Sequence, residues 1–184
     1  CLNKVVVSTD SEEIAQVAQE LGAETIMRPR SLAQDNTPTL PVVQHAVGKV
    51  EGTFNLVTTL QPTSPLRTSS HIDEALALMD QHRDANSLVS VIRVPHNMVP
   101  QSIMSLKGRF LKECFQDQGR ILRRQDKPTY YARNGAAIYV TRGDCIDRYI
   151  FGGKILPFEM DEFSSIDIDT VEDLNLAELI LKSQ

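Results

Sequence analysis

Two aspartates separated by one residue, Asp167 and Asp169, stand in the stretch SSIDIDTVEDL near the end of a 184-residue chain. Alternate side chains of an extended segment share a face, which sets these carboxylates roughly 6–7 Å apart. Two acids so presented can share one hard divalent cation, Mg²⁺ or Mn²⁺, and leave its other positions to water and phosphate oxygens. Ile166 and Ile168 alternate with them and bury the opposite face. The alternative is that Asp169 or Thr170 only caps the helix that follows.

A second set lies in LQPTSPLR, residues 60–67. Prolines 62 and 65 fix φ and remove N–H donors, giving a stiff loop that presets Gln61, Thr63, Ser64 and Arg67. Such a loop hydrogen-bonds a polyhydroxylated or carboxylate ligand at little ordering cost. A plain strand-to-helix turn capped by Thr68 or Ser69 has no use for Gln61 and Arg67 together. In RRQDKPTYYARNGAAIYV, Arg124, Asn134 and Tyr139 are polar residues in or beside an apolar strand, and Gly135 permits close backbone approach. Arg124 can grip a carboxylate through two parallel hydrogen bonds, or form a solvated pair with Arg123. In RPRSLAQDNTPT, Arg28 at a strand end meets either a phosphate, a base or a surface acid. The four histidines show no ligand spacing, and no Ser/His/Asp or Cys/His arrangement or glycine-rich phosphate loop is present.

These residues need elements to carry them, and the chain alternates strand and helix. Val5–Val7 predicts a strand. Asp10 then reads as the cap of a helix, with Glu13 completing a capping box and Ile14, Val17, Ala18 and Leu21 on the inner face. Strands follow at 24–27, 56–60 and 87–94, with helices over 41–50 and across Ile72, Ala75, Leu76 and Met79. Regular structure resumes at 130–140 and 154–158, and a last helix from Thr170 turns Val171, Leu174, Ala177 and Leu181 inward. This order argues for a mostly parallel sheet with helices on both faces, a three-layer α/β/α architecture. Ligands of such sheets gather beyond the carboxyl ends of the strands, where the clusters above fall. The polar segment 95–128 interrupts the rhythm and reads as an inserted arm on one domain spanning 1–184.

A net charge of −5 without a basic block argues against nucleic acid and anionic membrane as partners, and no apolar run is long enough for a membrane span. Three widely spaced cysteines suit reduced thiols in a cytoplasm.

VVVSTDSEEIA, RPRSLAQD, LQPTSPLR, RRQDKP followed by NGAAIY, and SIDIDTVEDLNLAE resemble successive motifs of the CMP-sialic acid synthetases (N-acylneuraminate cytidylyltransferases), in that family's order and across essentially the whole chain. The resemblance implies a Rossmann-like fold of the nucleotide-diphospho-sugar transferase type. It implies transfer of a cytidylyl group from CTP to a nine-carbon 2-keto sugar acid of sialic acid type, with release of pyrophosphate. Gln61, Thr63, Ser64, Arg67, Arg124, Asn134, Tyr139 and Phe151 then bind the sugar, and Arg28 and Thr39 the nucleotide. Asp167 and Asp169 hold Mg²⁺ or Mn²⁺ and, with Arg124, are catalytic. The arm at 95–128 matches the family's dimerisation element, so a homodimer is expected, with Phe151 in a region that reaches toward the partner's site. The family's opening strand and triphosphate-cradling Ser-Lys-Gly loop have no counterpart here. The chain is therefore read as incomplete at its amino end and is expected to be inactive, or nearly so, as printed. Synthetases for CMP-Kdo, CMP-legionaminic or CMP-pseudaminic acid are alternative readings, as is a non-catalytic binding or dimerisation module.

Overall fold

Each β-branched run of this chain ends in turn or capping residues, and the strands stop where those begin. The computed structural model describes residues 2–115, 123, 127–135 and 137–183. Strand β1 (Val6–Thr9) is joined through helix α1 (Glu12–Glu20) to strand β2 (Glu24–Met27), its parallel partner in a two-stranded sheet. Ser11, not Asp10, caps α1, its hydroxyl accepting the Ile14 N–H at 3.3 Å. Asp10 lies one residue too early and meets Arg28 at 3.4 Å instead. Of the expected inner stripe only Ala18 is buried, joined by Ala15, whereas Ile14, Val17 and Leu21 are 54%, 52% and 83% exposed. A sheet of two strands is too narrow to cover the branched stripe once the alanines have taken the close approach.

Helix α2 (Thr39–Lys49) begins two residues before the expected start, directly after Pro38. It leads into β3 (Leu56–Thr59), α3 (Ser69–Gln81) and β4 (Ser87–Arg93). Thr68 caps α3 in a reciprocal box: its hydroxyl accepts the His71 N–H at 3.3 Å while its own N–H donates to His71 Nδ1 at 3.2 Å. His71 is thus a structural group. The described part of the arm is a single 3₁₀ turn, Pro100–Ser102, and an antiparallel hairpin of β5 (Met104–Lys107) and β6 (Phe110–Glu113).

The expected strand at 130–140 is two strands end to end, β7 (Tyr131–Arg133) and β8 (Tyr139–Arg142), broken where Gly135 takes φ +73°. This column runs antiparallel between β3 and β4, while β9 (Ile155–Glu159) lies parallel on the other edge of β4. So β3, β4 and β9 share a direction, and the β7–β8 column is the exception to the parallel expectation. On one face α3 packs Ala75 and Met79 against Leu88, Ile138 and Val140. Burial of each of the larger side chains contributes about 1.5–3 kcal/mol. On the other face Val89, Val91 and Tyr139 meet Ile150 and Phe151 rather than a helix.

The final helix, α4 (Val171–Ser183), is capped by Thr170, whose hydroxyl accepts the Asp173 N–H at 3.2 Å. Asp173 accepts the N–H groups of Thr170 and Asp169 in return, and these bonds, the Thr170 hydroxyl's first, hold its carboxyl below the ordinary range. Of the four residues expected to face inward only Ala177 is buried; Val171, Leu174 and Leu181 are 68%, 44% and 52% exposed.

Candidate active site

Gln61 leaves the sheet at the carboxyl end of β3, beside Tyr139, which opens β8 opposite Thr59. The rigid loop folds back so that Ser64 and Leu66 are buried. Arg67 fastens it: Nη1 donates to the Ala137 carbonyl at 2.6 Å and the Gln61 carbonyl at 3.3 Å. Burial lowers the pKa of this guanidinium by desolvation. Arg67, expected to bind substrate, thus spends its donors tying the loop to the break between β7 and β8.

Asn134, expected on the sugar side, is only 4% exposed. Its Oδ1 accepts from Ser90 Oγ at 2.6 Å, and its Nδ2 donates to Ser165 Oγ at 2.8 Å and Met160 Sδ at 3.4 Å. Ser90 Oγ also accepts the Ile138 N–H at 2.9 Å, a pairing that the broken ladder would otherwise lose. Asn134 therefore sits behind the site, joining β4 to the acidic segment.

That segment is irregular rather than a strand. The Ile168 N–H donates to the Thr63 carbonyl at 2.8 Å, and Ser64 Oγ lies 3.5 Å from Asp167 Oδ1. The Asp167 carboxylate rests on Gly135: a Cβ there would stand 2.1 Å from Oδ2. This is the close approach that a glycine permits, and what approaches is the acid. Asp169 is exposed, and because Thr170 makes the cap its carboxylate is not used for that purpose.

Beside Gly135 opens a cleft of about 460 Å³. Thr39, Gln61, Tyr139 and Phe151 line it, together with Pro38, Leu40, Gly135, Arg133, Arg148, Tyr149 and Ile150. Tyr139 and Phe151 form an aromatic wall, ring centres 5.1 Å apart, and the Arg133 guanidinium lies 5.0 Å over Phe151. Pro38 ends the approach to α2, so the free N–H groups of its first turn start at this rim, an arrangement that suits phosphate. Arg28 stands just past β2, its Nη2 toward Asp10 and its buried Nε without a partner in the described structure. Arg124 lies outside the described residues.

Arg133 and Arg148 are the residues that sequence reasoning missed. Arg133 was within reach, as a charged residue next to Asn134-Gly135. Arg148 has no local signal, because its segment is neither periodic nor matched by a motif.

The chemistry of the two acids, hard carboxylate oxygens, is of the kind that suits a divalent cation. Asp167 is half-buried with a single long hydroxyl contact and, among the described residues, no basic partner; Asp169 is exposed. Among the described residues no third His, Cys, Asp or Glu joins them, so water and phosphate would complete the shell, the usual state of Mg²⁺.

This fold is shared with a solved structure of CMP:2-keto-3-deoxy-manno-octonic acid synthetase complexed with CTP, at TM-score 0.68 and 15% identity over 99% of this chain and 82% of that one. The protein is thus an α/β protein of the nucleotidyltransferase fold. It belongs to the cytidylyltransferase family, whose sequence profile matches residues 1–182. It is 31% identical to the N-acylneuraminate cytidylyltransferase of Escherichia coli O18:K1:H7 (strain RS218 / NMEC) over 95% of this chain and 41% of that protein. It is 30% identical to the post-translational flagellin modification protein B of Campylobacter coli, over 98% of this chain and 77% of that protein. The chain thus spans about two fifths of the E. coli enzyme's length. Among the described residues no helix is long and apolar enough to cross a membrane.

Proposed function

We propose that the protein transfers a cytidylyl group from CTP to the anomeric hydroxyl of a nine-carbon 2-keto sugar acid and releases pyrophosphate. The observation that carries this reading is the Asp167 carboxylate seated on Gly135, at the edge of a cleft lined by Gln61, Tyr139 and two arginines. Membership of the cytidylyltransferase family supports it.

On the sugar side, Gln61 and the Tyr139 hydroxyl offer hydrogen bonds to hydroxyls, and the Tyr139–Phe151 wall offers an apolar face to the ring. On the nucleotide side, Thr39 and the first turn of α2 meet phosphate oxygens, and Arg28, just past β2, is the further nucleotide contact that the family resemblance implies. Asp167 and Asp169 would hold Mg²⁺ or Mn²⁺, which when bound neutralises the phosphate charge and lowers the pKa of the attacking hydroxyl. The chain's own contribution is to align that hydroxyl with the α-phosphorus and to keep the leaving oxygens in line. Gly135 seats the acid, while Arg67 and Asn134 fix the loops around it.

The test is pyrophosphate release from CTP with a panel of N-acetylneuraminate, legionaminate, pseudaminate and Kdo, in the full-length protein with Mg²⁺. Release with a nine-carbon acid, lost on adding EDTA, is expected. Release with Kdo alone would move the substrate to the eight-carbon acids. Silence across the panel would sink the reading.

We assign the arm to self-association. Met104, Leu106 and Leu111 share one face of the hairpin and are 46%, 72% and 62% exposed, an apolar surface suited to a second copy. Sedimentation should give a homodimer, and Leu106→Asp with Leu111→Asp should give a folded monomer; a wild-type monomer at micromolar concentration overturns this assignment. The described cysteines, Cys114 and Cys145, are free, which supports a cytoplasmic setting.

A further inference from the structure

The two arginines of the cleft have no acid within ion-pairing distance among the described residues, although the chain carries 24 acidic against 19 basic side chains. None of the described residues lining the cleft is acidic. Neighbours in sequence do not neutralise Arg148: Asp144 and Asp147 are exposed and unpaired with it, and the Asp147 backbone is held by Gln44 at 3.0 Å.

Each guanidinium is nevertheless held in place. Arg133 donates to the Tyr139 hydroxyl at 3.4 Å, with its face over Phe151. Arg148 donates from Nη2 to Cys145 Sγ at 3.3 Å and lies 5.6 Å from the Tyr149 ring centre. Cys145 is only 1% exposed, and Asn86 Nδ2 also points at its sulfur, at 3.9 Å. A guanidinium has five N–H donors, and these contacts use one on each arginine. The rest remain for a ligand that accepts hydrogen bonds and carries negative charge.

We propose that Arg133 and Arg148 clamp one carboxylate of the ligand from two walls of the cleft, with Arg148 the specificity-determining residue and Cys145 its positioning residue. The proposal rests on the sugar-acid reading above and names the group by which the acid is selected. A phosphate of CTP offers the same chemistry, so the experiment must separate the two.

The test is direct titration of N-acetylneuraminate, its neutral methyl ester and CTP against wild type, Arg148→Met, Cys145→Ala and Cys145→Ser. Wild type should favour the acid over the ester by about tenfold or more, the scale of a charge-assisted pair. Arg148→Met should lose most of that preference, with the ester and CTP affinities unchanged. Cys145→Ala should lose part of it, and Cys145→Ser should retain it because a hydroxyl accepts the same bond. An unchanged acid-to-ester ratio in Arg148→Met, or a loss confined to CTP, overturns the clamp. Binding needs no turnover, so an Arg148-dependent preference in a protein that releases no pyrophosphate sinks cytidylyl transfer and leaves the clamp standing. Turnover with an unchanged ratio does the reverse. A wild type that binds neither acid nor CTP overturns both.

Discussion

Asp167→Asn should lower cytidylyl transfer by the full-length protein about 10²–10³-fold, the scale on which removing one preorganised electrostatic group acts. The substitution keeps the shape of the side chain and an oxygen for the Ser64 hydroxyl, whose 3.5 Å contact is in any case weak. It removes only the charge that faces the cleft edge. The melting temperature should therefore stay within about 2 °C of wild type. Mn²⁺ affinity, followed by electron paramagnetic resonance, should fall with the activity, and Asp169→Ala should move both in the same direction. Near-wild-type transfer by Asp167→Asn, or unchanged Mn²⁺ binding, would remove the acids from the proposed chemistry.

Gly135→Ala should be as damaging to activity, by a different route. The added methyl would stand 2.1 Å from Oδ2, 2.3 Å from Cγ and 2.8 Å from Oδ1 of Asp167, so the carboxylate must leave its seat. The backbone at φ +73° is itself costly for alanine, by about 1–3 kcal/mol. Gly22→Ala separates the two effects. Gly22 sits at φ +85° with nothing within 4 Å of an added Cβ. It should show the conformational loss of stability, read as a drop in melting temperature, without loss of transfer. Should Gly135→Ala retain activity while melting like Gly22→Ala, the acid is not held where catalysis needs it.

Much of the site was legible in the chain because its loops are locally determined. Two prolines stiffen LQPTSPLR whatever surrounds it, and Gln61 does reach the cleft. Tyr139, Phe151 and Thr39 reach it too. Other residues kept their importance but changed their work. Arg67 and Asn134 are turned inward by partners distant in sequence, Ala137 for one and Ser90, Met160 and Ser165 for the other. Periodicity misled at α1 and α4, because it reports which stripe is apolar and not whether a neighbour exists to cover it. Ala15 and Ala18, poor signals of burial, won the contact because small side chains let the helix approach β1 and β2.

The order of strands and helices, the loop stiffness and the pair of acids follow from sequence, since each depends on a few adjacent residues and their backbone preferences. Strand direction does not. That β8 runs antiparallel between β3 and β4, and β7 antiparallel along β4, depends on pairing across 38 to 86 residues of chain, which no local pattern encodes. The same long-range pairing brings Gly135 under Asp167 and sets Arg133 and Arg148 on one cleft. Convergence of distant groups is a property of packing, and only the folded chain decides it.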